Sequence, residues 1–399
     1  MTVPDRTQVG IVGGGPAGLL LSHLLARAGV DSVVLESRSR AYVEARQRAG
    51  VIEAGTANLL REVGLGARMD RDGLEHGGIY LQFDGERQHV DFVDLTGGGT
   101  VTVWAQTEIV KDLIAARLDD GGSVEFEAEV VGVDGLTGDR PLVRYRDATG
   151  VERELRCDAV AGCDGFHGIC RAAVPDLTVS ERAYPYAWLG ILADVAPSTD
   201  ELIYAHHTRG FAMHSMRSPE VSRLYLQVHP DETIDAWPDD RIWSELDIRL
   251  GLPGWTLHTG PVRDKGITPM RSFVSAPMRH GRLFLAGDAA HIVPPTGAKG
   301  LNLAMADAAV LAEALVALLG GETGLADSYS DRCRRRVWRA THFSWWMTSM
   351  LHRAPGDDAF DEALQLSQLR YVTSSRAAGE SLAENYVGYT MRAAGQGDY

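Results

Sequence analysis

The sequence has few cysteines, fewer basic than acidic residues, and no long apolar run without charges. Its four cysteines among 399 residues form no C-x-x-C pair and no metal-ligand spacing, which argues against a disulfide framework, a metal site and a dithiol redox centre. The 39 Lys and Arg against 54 Asp and Glu give a net charge of −15, which argues against general binding to nucleic acid or an anionic membrane. These absences favour an enzyme of a reducing cytoplasm that acts on small molecules.

The sequence also lacks a cationic, apolar leader, so we expect no targeting segment. Its most apolar later stretch, 301–319, is interrupted by Asp307 and Glu313, which favours a buried helix over a membrane span. A length of 399 residues predicts two or three domains, and 45% hydrophobic residues are enough for a large core. We therefore expect a cytoplasmic protein that does not bind a membrane.

The clearest motif lies at the start of the sequence. Three glycines in G-x-G-x-x-G spacing follow an apolar run at 8–12, and they are Gly13, Gly15 and Gly18. A helical pattern comes next, and then a second apolar run that ends at Glu36. In such a unit the glycines permit a tight turn, the approach of backbone N–H groups to a pyrophosphate and close helix packing, while the terminal acid accepts hydrogen bonds from a ribose. The segment predicts a site for an ADP-containing cofactor.

A basic segment follows this motif. In an otherwise acidic protein, its arginines indicate a local anion-binding surface, because guanidinium groups bind anions through paired hydrogen bonds. A solvated helix face is the alternative, since runs of charge are usually solvated. The arginines are Arg38, Arg40, Arg46 and Arg48.

Two further segments place an acid after an apolar strand. Asp164 and Gly165 follow one such strand, and Asp288 follows the strand predicted at 283–285. Ligands of open α/β sheets bind at the carboxyl ends of the strands, so this is where ligand contacts are expected. A loop rich in Pro and Gly then leads into a helix from about Leu301, whose unpaired N–H groups favour a negative charge at the loop.

The order of these three segments resembles that of the FAD-dependent aromatic hydroxylases. The resemblance extends from Gln8 to the segment 384–388 and includes 343–353. It implies a mixed α/β (α+β) fold with a Rossmann-like FAD-binding domain, a β-sheet substrate domain and C-terminal helices. The expected divisions are 1–175 for the FAD-binding domain with a β-meander, completed by 280–300; 176–279 for the substrate domain; and 301–399 for the helices, as a candidate dimer interface.

The resemblance also implies a reaction and a set of cofactor contacts. It implies hydroxylation of 4-hydroxybenzoate at C3 to 3,4-dihydroxybenzoate, with FAD, O2 and NADH or NADPH, through a flavin C4a-hydroperoxide. Leu301 and Asn302 would present a helix N-terminus to the flavin, which suits a reduced, anionic flavin. The implied FAD-binding residues are Gly13, Gly15, Ala17, Gly18, Glu36, Arg46, Gln47, Arg48, Ala49, Gly50, Val51, Gln106, Asp288, Leu301 and Asn302.

A receptor for the substrate carboxylate is expected in the strand-rich segment 176–279. Ser215 and Arg217 point to one face of an extended strand. Tyr225 would join them if the hairpin pairs residues whose numbers sum to 440, which places it opposite Ser215. The resemblance assigns all three side chains to the substrate carboxylate. An exposed set of ordinary cross-strand polar residues is the alternative.

The other end of the substrate must lose a proton, because electrophilic hydroxylation favours a phenolate. The resemblance places Tyr204 at the phenolic oxygen, Tyr386 next along a proton path, and His76 as the link to solvent. A tyrosine hydroxyl both donates and accepts hydrogen bonds, and histidine titrates near neutrality. The Pro295 carbonyl would complete the contact with the substrate hydroxyl, beside Thr296.

The choice of electron donor stays open. Family members that prefer NADPH usually carry Arg-Gln after the ribose-binding acid, whereas this chain has Ser37 and Arg38. This difference weakens recognition of a 2′-phosphate, so NADH, NADPH or both remain candidates. The implied NAD(P)H-binding residues are Arg38, Tyr42, Arg46, His167 and Arg271.

Alternatives of a different class also remain at this point. The same fold could serve a non-catalytic flavoprotein that senses an aromatic acid, or a hydroxylase of a related hydroxybenzoate. A proton path together with a carboxylate receptor favours the monooxygenase. The arginines of 332–339 and the aromatics of 343–346 are more typical of a helix surface, a core or a subunit contact than of a nucleic-acid site. We expect a homodimer that binds a small aromatic carboxylate and O2, without nucleic acid or metal.

Overall fold

The computed structural model describes residues 4–46 and 50–388. Two large sheets, two small sheets and a group of C-terminal helices make up most of this part of the chain. The strands are β1 (Val9–Val12), β2 (Ser32–Glu36), β3 (Val51–Ile52), β4 (Leu74–His76), β5 (Gly78–Phe83), β6 (Glu86–Asp91), β7 (Val101–Val103), β8 (Ser123–Phe126), β9 (Glu129–Asp134), β10 (Leu142–Arg146), β11 (Glu152–Arg156), β12 (Ala159–Gly162), β13 (Thr178–Ala193), β14 (Leu202–Ala205), β15 (Ala212–Ser218), β16 (Val221–Val228), β17 (Val262–Ala276), β18 (Arg279–His280), β19 (Leu283–Leu285) and β20 (His291–Ile292).

The helices lie mainly around the first sheet and at the C-terminal end. The α-helices are α1 (Pro16–Arg27), α2 (Arg40–Ala45), α3 (Ala54–Glu62), α4 (Ala67–Asp72), α5 (Phe92–Thr96), α6 (Gln106–Asp119), α7 (Asp239–Leu250), α8 (Gly300–Leu319), α9 (Gly324–Leu351), α10 (Ala359–Ser374) and α11 (Arg376–Val387).

The six-stranded sheet has the order β18-β19-β12-β1-β2-β8 and carries the glycine motif. β1 pairs in parallel with both β2 and β12, so the carboxyl ends of these strands meet at one edge. Helix α1 starts at Pro16 directly after the turn, where proline suits a first helical position. Leu19, Leu20, Leu21 and Leu25 of α1 are fully buried. The predicted Rossmann-like unit is confirmed.

Later segments complete this unit. β19 pairs in parallel with β12 and returns the chain to the sheet just before Asp288. β9, β10 and β11 form a separate three-stranded antiparallel sheet, as expected for the meander. Both placements are consistent with the extent that we propose for the FAD-binding domain.

The eight-stranded sheet has the order β20-β17-β13-β16-β15-β14-β5-β6. Five of its strands come from the segment 176–279, and β5, β6 and β20 come from outside it. β5 joins the sheet by pairing in parallel with β14, and β20 joins it by pairing with β17. The segment is also not all strand, since it contains helix α7. Ile242, Leu246 and Leu250 recur every four residues in α7 and are fully buried. The sheet is therefore wider than the sequence indicated, and it has a helix packed on it.

Helix α8 packs against α1 and α9 in the core. Among the described residues it is the one helix long and apolar enough to span a membrane, but 72% of its apolar window is buried inside the protein. Its Asp307 is 2% exposed and accepts a backbone hydrogen bond from Gly287. The expected buried helix is confirmed.

One ion-pair network holds α7 against the sheet. Arg249 is 5% exposed and donates to the Glu245 carboxylate at 2.8 and 3.1 Å, and to the backbone carbonyls of Phe211 and Gln227. Arg209, with 55% of its side chain exposed, pairs with the same carboxylate. Glu245 is therefore the counter-ion of one buried and one exposed arginine.

Replacing Glu245 should destabilise the protein because the buried Arg249 loses its counter-ion, whereas the loss of the exposed pair with Arg209 should have little effect. Glu245→Ala leaves the Arg249 charge buried without its counter-ion, which should lower the free energy of unfolding by about 3–5 kcal/mol. Arg209→Ala should change it little, because exposed ion pairs are screened by solvent. Urea denaturation of the two variants tests this expectation, and equal, small losses would contradict it.

Candidate active site

The glycine motif packs tightly in two places and leaves space at the third. Gly13 has φ of +105°, and a Cβ atom there would lie 2.3 Å from the Cys163 carbonyl oxygen. A Cβ atom at Gly18 would lie 2.1 Å from the Gly13 carbonyl oxygen, so the helix approaches only without a side chain. At Gly15, no heavy atom of the described residues other than those of Gly15 and its chain neighbours lies within 4 Å of the same position. The chain thus leaves room beside Gly15 for a ligand.

Glu36 ends β2 next to this turn. Its carboxylate accepts hydrogen bonds from the backbone N–H groups of Gly14, at 2.7 Å, and Arg38, at 2.8 Å. The residue is half-buried, and its further lone pairs can accept from ribose hydroxyls. The first turn of α1 contains no acidic residue, so its N–H groups favour an incoming anion.

Asp288 lies on a loop that packs against the start of α1. Gly287 has φ of +61°, and a Cβ atom there would lie 3.5 Å from the Cβ of Ala17. The Gly287 N–H donates to Asp307 at 2.9 Å, and His291 Nε2 lies 2.6 Å from the same oxygen. Burial opposes protonation of His291, but the charge and the hydrogen bond of Asp307, with a contribution from Asp288, together outweigh it and raise the pKa of the imidazole. These bonds fix the loop while Asp288 itself is exposed.

Asp164 lies directly behind the glycine turn. A Cβ atom at Gly13 would lie 3.0 Å from the Asp164 Cα. Its Oδ2 accepts from the Cys170 N–H at 2.9 Å, whereas its buried Oδ1 has no hydrogen-bond partner within the described part of the chain. Burial raises the pKa of this carboxyl. An unsatisfied acceptor beside the nucleotide turn suits a ligand that donates a hydrogen bond there.

Leu301 and Asn302 lie in the first turn of α8, where both are buried. The Asn302 side chain donates to the Val51 carbonyl at 3.1 Å and accepts from the Glu53 N–H at 3.0 Å. The asparagine therefore fastens the segment around β3 to the helix start. The sequence analysis did not predict this contact; it predicted only that Asn302 presents the helix N-terminus to the flavin.

The other predicted FAD contacts are less sharply defined by geometry. Arg46 ends α2 and is exposed, and Gln106 begins α6 and is half-buried. Gln47, Arg48 and Ala49 lie outside the described residues. These assignments stay predictions.

β15 and β16 form the expected hairpin, but the predicted register is wrong by two residues. Paired residue numbers sum to 438 from Ala212 to Met216, as in Ser215 with Arg223, and to 439 at the pair Ser218 with Val221 next to the turn. The hairpin closes through a two-residue turn, and an irregularity at Arg217 takes up one extra residue. A shift of two residues preserves the face, so Ser215 and Tyr225 remain diagonal neighbours on one side.

Arg217 lies where this face meets the segment before β3. A Cβ atom at Gly50 would lie 2.9 Å from an Arg217 guanidinium nitrogen. Burial, and then the Arg223 charge, lower the pKa of Arg217 to about 10, so it remains a cation at neutral pH in a poorly hydrated setting. Arg223 Nε donates to the Tyr225 hydroxyl, and the Ser215 hydroxyl donates to the Arg223 carbonyl. The region is positive and rich in donors, as a carboxylate receptor requires.

Tyr204 of β14 and Tyr386 of α11 meet in the core. Their hydroxyl oxygens are 2.7 Å apart, and each residue is 1% exposed. Burial raises the pKa of both phenols, so both stay protonated at neutral pH. Two neutral hydroxyls in contact can pass a proton by exchanging donors and acceptors. The structure thus brings together two residues that the sequence places far apart.

His76 departs from its expected behaviour. It is 1% exposed at the end of β4, and neither ring nitrogen has a hydrogen-bond partner among the described residues. Burial lowers its pKa to about 4, with Asp200 opposing the shift. The expectation that it titrates near neutrality is therefore wrong for this conformation, because desolvation disfavours the imidazolium. Its place between Tyr386 and solvent stays a prediction.

Pro295 is exposed at the start of a 3₁₀ helix, Pro295–Gly297. Its carbonyl accepts from the Ala298 N–H at 2.9 Å and keeps a second lone pair for a ligand. Ala298 has φ of +55°, which is uncommon for alanine and marks a constrained loop. Thr296 is fully buried, and its hydroxyl is hydrogen-bonded to the Thr348 hydroxyl at 2.8 Å, so it is engaged within the protein.

The residues predicted to bind NAD(P)H fall into two groups. The Arg38 guanidinium lies 5.5 Å from the Tyr42 ring centroid. Arg271 lies 4.6 Å from the Phe166 ring centroid, and the exposed His167 is next in the chain. The structure brings His167 and Arg271 together around Phe166, and their role in binding NAD(P)H stays a prediction.

The sequence analysis missed a buried ion pair. Lys299 is 2% exposed, and its ammonium donates to Glu53 at 2.5 Å and to the Tyr386 carbonyl at 3.1 Å. Burial lowers the pKa of Lys299, with Glu53 opposing the shift. A lysine inside a Pro/Gly-rich loop was the available signal, but nothing in the sequence pointed to a partner 246 residues away.

Comparison with known proteins identifies the family. The FAD binding domain family matches residues 6–344. p-Hydroxybenzoate hydroxylase of Acinetobacter baylyi is 47% identical over 388 residues, which cover 96% of this chain and 95% of that protein. The chain belongs to the FAD-dependent aromatic hydroxylases. It is a flavin-dependent monooxygenase, and FAD is its cofactor.

More distant proteins share the fold. 4-Methyl-5-nitrocatechol 5-monooxygenase from a Burkholderia species is 27% identical over 84% of this chain and 65% of that protein. The crystal structure of p-nitrophenol 4-monooxygenase from Pseudomonas putida has a TM-score of 0.84 at 23% identity, and covers 96% of this chain and 99% of that one. A complex of aklavinone-11 hydroxylase with FAD and aklavinone has a TM-score of 0.75 at 24% identity, over 88% of this chain and 70% of that one. These neighbours confirm the fold class.

The residues of the hydroxylase fit FAD. Gly15 borders open space, the starts of α1 and α8 offer N–H groups, and Asp164 carries an unsatisfied acceptor. Within residues 4–46 and 50–388, no group of three or more His, Cys, Asp or Glu side chains is arranged to hold a metal ion.

Two glycine substitutions should separate folding from cofactor binding. Gly18→Ala forces a methyl group against the Gly13 carbonyl, and should lower the free energy of unfolding by about 1–3 kcal/mol. Gly15→Ala meets open space in the protein, so the apoprotein should keep wild-type stability but bind FAD more weakly, because the methyl group occupies the phosphate approach.

The measurements are thermal unfolding of the apoprotein and fluorescence titration with FAD. Wild-type FAD affinity in Gly15→Ala would contradict the cofactor role of this position. Wild-type stability in Gly18→Ala would contradict the packing argument.

Proposed function

We propose that this hydroxylase converts 4-hydroxybenzoate to 3,4-dihydroxybenzoate, with O2 and NADH or NADPH as co-substrates. The observation that carries the proposal is the buried Tyr204–Tyr386 hydroxyl pair together with the cationic face of Arg217. The similarity to p-hydroxybenzoate hydroxylase over almost the whole chain supports the same substrate. Incubation with 4-hydroxybenzoate and either nucleotide, with the product identified by mass spectrometry, tests it.

Arg217, Ser215 and Tyr225 bind the carboxylate in this proposal. To donate to the substrate, the Ser215 hydroxyl turns away from the Arg223 carbonyl, to which it donates in the structure. The poorly hydrated Arg217 cation favours an anion, and its fork can hold both carboxylate oxygens. The diagonal placement of Tyr225 spreads the donors along the hairpin face. Bound in this way, the aromatic ring extends from β15 towards β14, where Tyr204 lies.

Tyr204 and Tyr386 hold and move the phenolic proton. Tyr204, neutral at physiological pH, donates a hydrogen bond that stabilises the phenolate, and Tyr386 receives the released proton through its hydroxyl. Pro295 orients the substrate hydroxyl through its carbonyl while that oxygen is protonated. His76 would connect Tyr386 to solvent after a local rearrangement that hydrates its ring. When bound, FAD supplies the redox chemistry, accepting a hydride from NAD(P)H and activating O2 for transfer of one oxygen atom.

The proposal also assigns residues to FAD and to the nicotinamide nucleotide. Glu36 binds the ribose of FAD, Asp288 and the start of α8 face the rest of the cofactor, and the groups around Arg38 and Arg271 receive the nicotinamide nucleotide. We also propose a homodimer in the cytoplasm. Large apolar side chains exposed on the C-terminal helices support a subunit contact there: Trp338, Trp345, Phe360, Leu364 and Tyr371.

Changes at Arg217 should weaken substrate binding. Arg217→Ala should cost about 2–5 kcal/mol in affinity for 4-hydroxybenzoate, as expected when one partner of a buried charge pair is removed. Arg217→Lys should also impair binding, because a point charge cannot reproduce the planar fork. Arg209→Ala is the control, since its ion pair to Glu245 lies outside the site. Unchanged dissociation constants in both Arg217 variants would rule out the assignment.

Tyr204→Phe should separate binding from chemistry. It keeps the carboxylate receptor and the cofactor site, so FAD and substrate should still bind. Loss of one positioned acid–base group should slow hydroxylation by about 10²–10⁴-fold. NAD(P)H oxidation should then yield mostly hydrogen peroxide, and Tyr386→Phe should act in the same direction.

The measurement is the ratio of 3,4-dihydroxybenzoate formed to NAD(P)H oxidised. Tyr329→Phe is the control, because this buried phenol donates to the Leu285 carbonyl at 2.8 Å, away from the tyrosine pair. If Tyr204→Phe keeps the wild-type ratio, Tyr204 has only a structural role.

A further inference from the structure

A buried histidine outside the groups discussed above contacts residues of both the eight-stranded sheet and helix α9. His352 directly follows α9 and is 2% exposed. Its Nε2 accepts from the Trp188 indole N–H at 2.6 Å, and its Nδ1 lies 3.0 Å from the Thr348 carbonyl oxygen. An indole only donates and a carbonyl only accepts, so both bonds require the neutral tautomer with its proton on Nδ1. Burial lowers the pKa of His352 to about 3, which keeps this tautomer at neutral pH.

On one side, this imidazole supports the carboxylate receptor. The Trp188 ring lies 4.7 Å from the Tyr225 ring, centroid to centroid. His352 stacks on Phe211 at 4.3 Å, and Phe211 stacks on Trp188 at 5.3 Å. Stacking together with the indole hydrogen bond fixes the rotation of Trp188 and thus the wall behind Tyr225.

On the other side, the same imidazole is joined to the phenol end. The Thr348 carbonyl accepts both the backbone N–H and the ring N–H of His352, and the Thr348 hydroxyl is hydrogen-bonded to that of Thr296, next to Pro295. Phe211 also lies 6.2 Å from the Tyr204 ring. One side chain is therefore linked to residues at both ends of the substrate site.

We propose that His352 is a positioning residue that fixes the distance between the two ends of the substrate site, and so selects aromatic acids by length. The inference rests on the proposed function. A fixed distance favours an acid whose carboxylate is attached directly to the phenol ring, because a longer acid cannot engage both ends at once. A histidine that only stabilised the core would not influence this choice.

Two substitutions test the inference, and both remove the hydrogen bond between Trp188 and His352. His352→Phe keeps a ring in the stack but removes both hydrogen bonds, and Trp188→Phe keeps His352 but removes its donor. His214→Phe is the matched control: His214 is fully buried and accepts from the Ser198 N–H at 3.0 Å. For each holoenzyme, the dissociation constants for 4-hydroxybenzoate and for 4-hydroxyphenylacetate, one methylene longer, are measured together with the thermal midpoint.

His352→Phe and Trp188→Phe should each reduce the preference for the shorter acid by about tenfold, the scale of discrimination over one methylene. The double variant should show no further loss, because both changes break the same hydrogen bond. His214→Phe should keep the wild-type ratio even where its thermal midpoint falls.

An unchanged ratio in both single variants would overturn the inference, whatever their stability. If His352→Phe does not fold, the ratio in Trp188→Phe decides alone. A wild-type enzyme that binds neither acid would refute the proposed function, and this inference with it, before any variant is compared.

Discussion

The hydrogen bond between the hydroxyls of Tyr204 and Tyr386 joins two parts of the molecule that are 182 residues apart in sequence. Tyr204 belongs to the eight-stranded sheet and Tyr386 to α11, so the bond forms only when the C-terminal helices pack against that sheet. Both phenols are buried and therefore neutral, which suits a path that carries a proton without holding charge. The proposed chemistry depends on this packing.

The buried pair of Lys299 and Glu53 reinforces the same arrangement. The Lys299 ammonium also donates to the backbone carbonyl of Tyr386, so the loop before α8 is tied directly to α11. Asn302, three residues further, fastens the segment around β3 to the start of α8. The nucleotide side and the substrate side of the site are thus held together by a few polar contacts in an apolar core.

The structural features that the sequence predicted are those with local signals. The glycine motif, Glu36 and the strand before Asp288 each depend on short-range patterns, and the structure reproduces their geometry. The hairpin register was missed by two residues because the two-residue turn and the irregularity at Arg217 each shift the pairing by one, and neither leaves a mark in an alternating pattern.

Burial and long-range pairing explain the remaining differences. His76 carries no local sign that it is desolvated, so its lowered pKa could not be anticipated. Lys299 and His352 each acquire their partners only through tertiary packing. Residues of this kind become recognisable once the helices and the sheet are placed together.

The most direct test of the central claim is a spectroscopic titration of 4-hydroxybenzoate bound to the wild-type holoenzyme. The ultraviolet difference spectrum distinguishes the phenol from the phenolate of the bound substrate as the pH is raised. If the tyrosine pair takes up the phenolic proton and stabilises the phenolate, the bound substrate should ionise at a lower pH than free 4-hydroxybenzoate. Ionisation at the same pH as the free acid, or higher, would contradict the account.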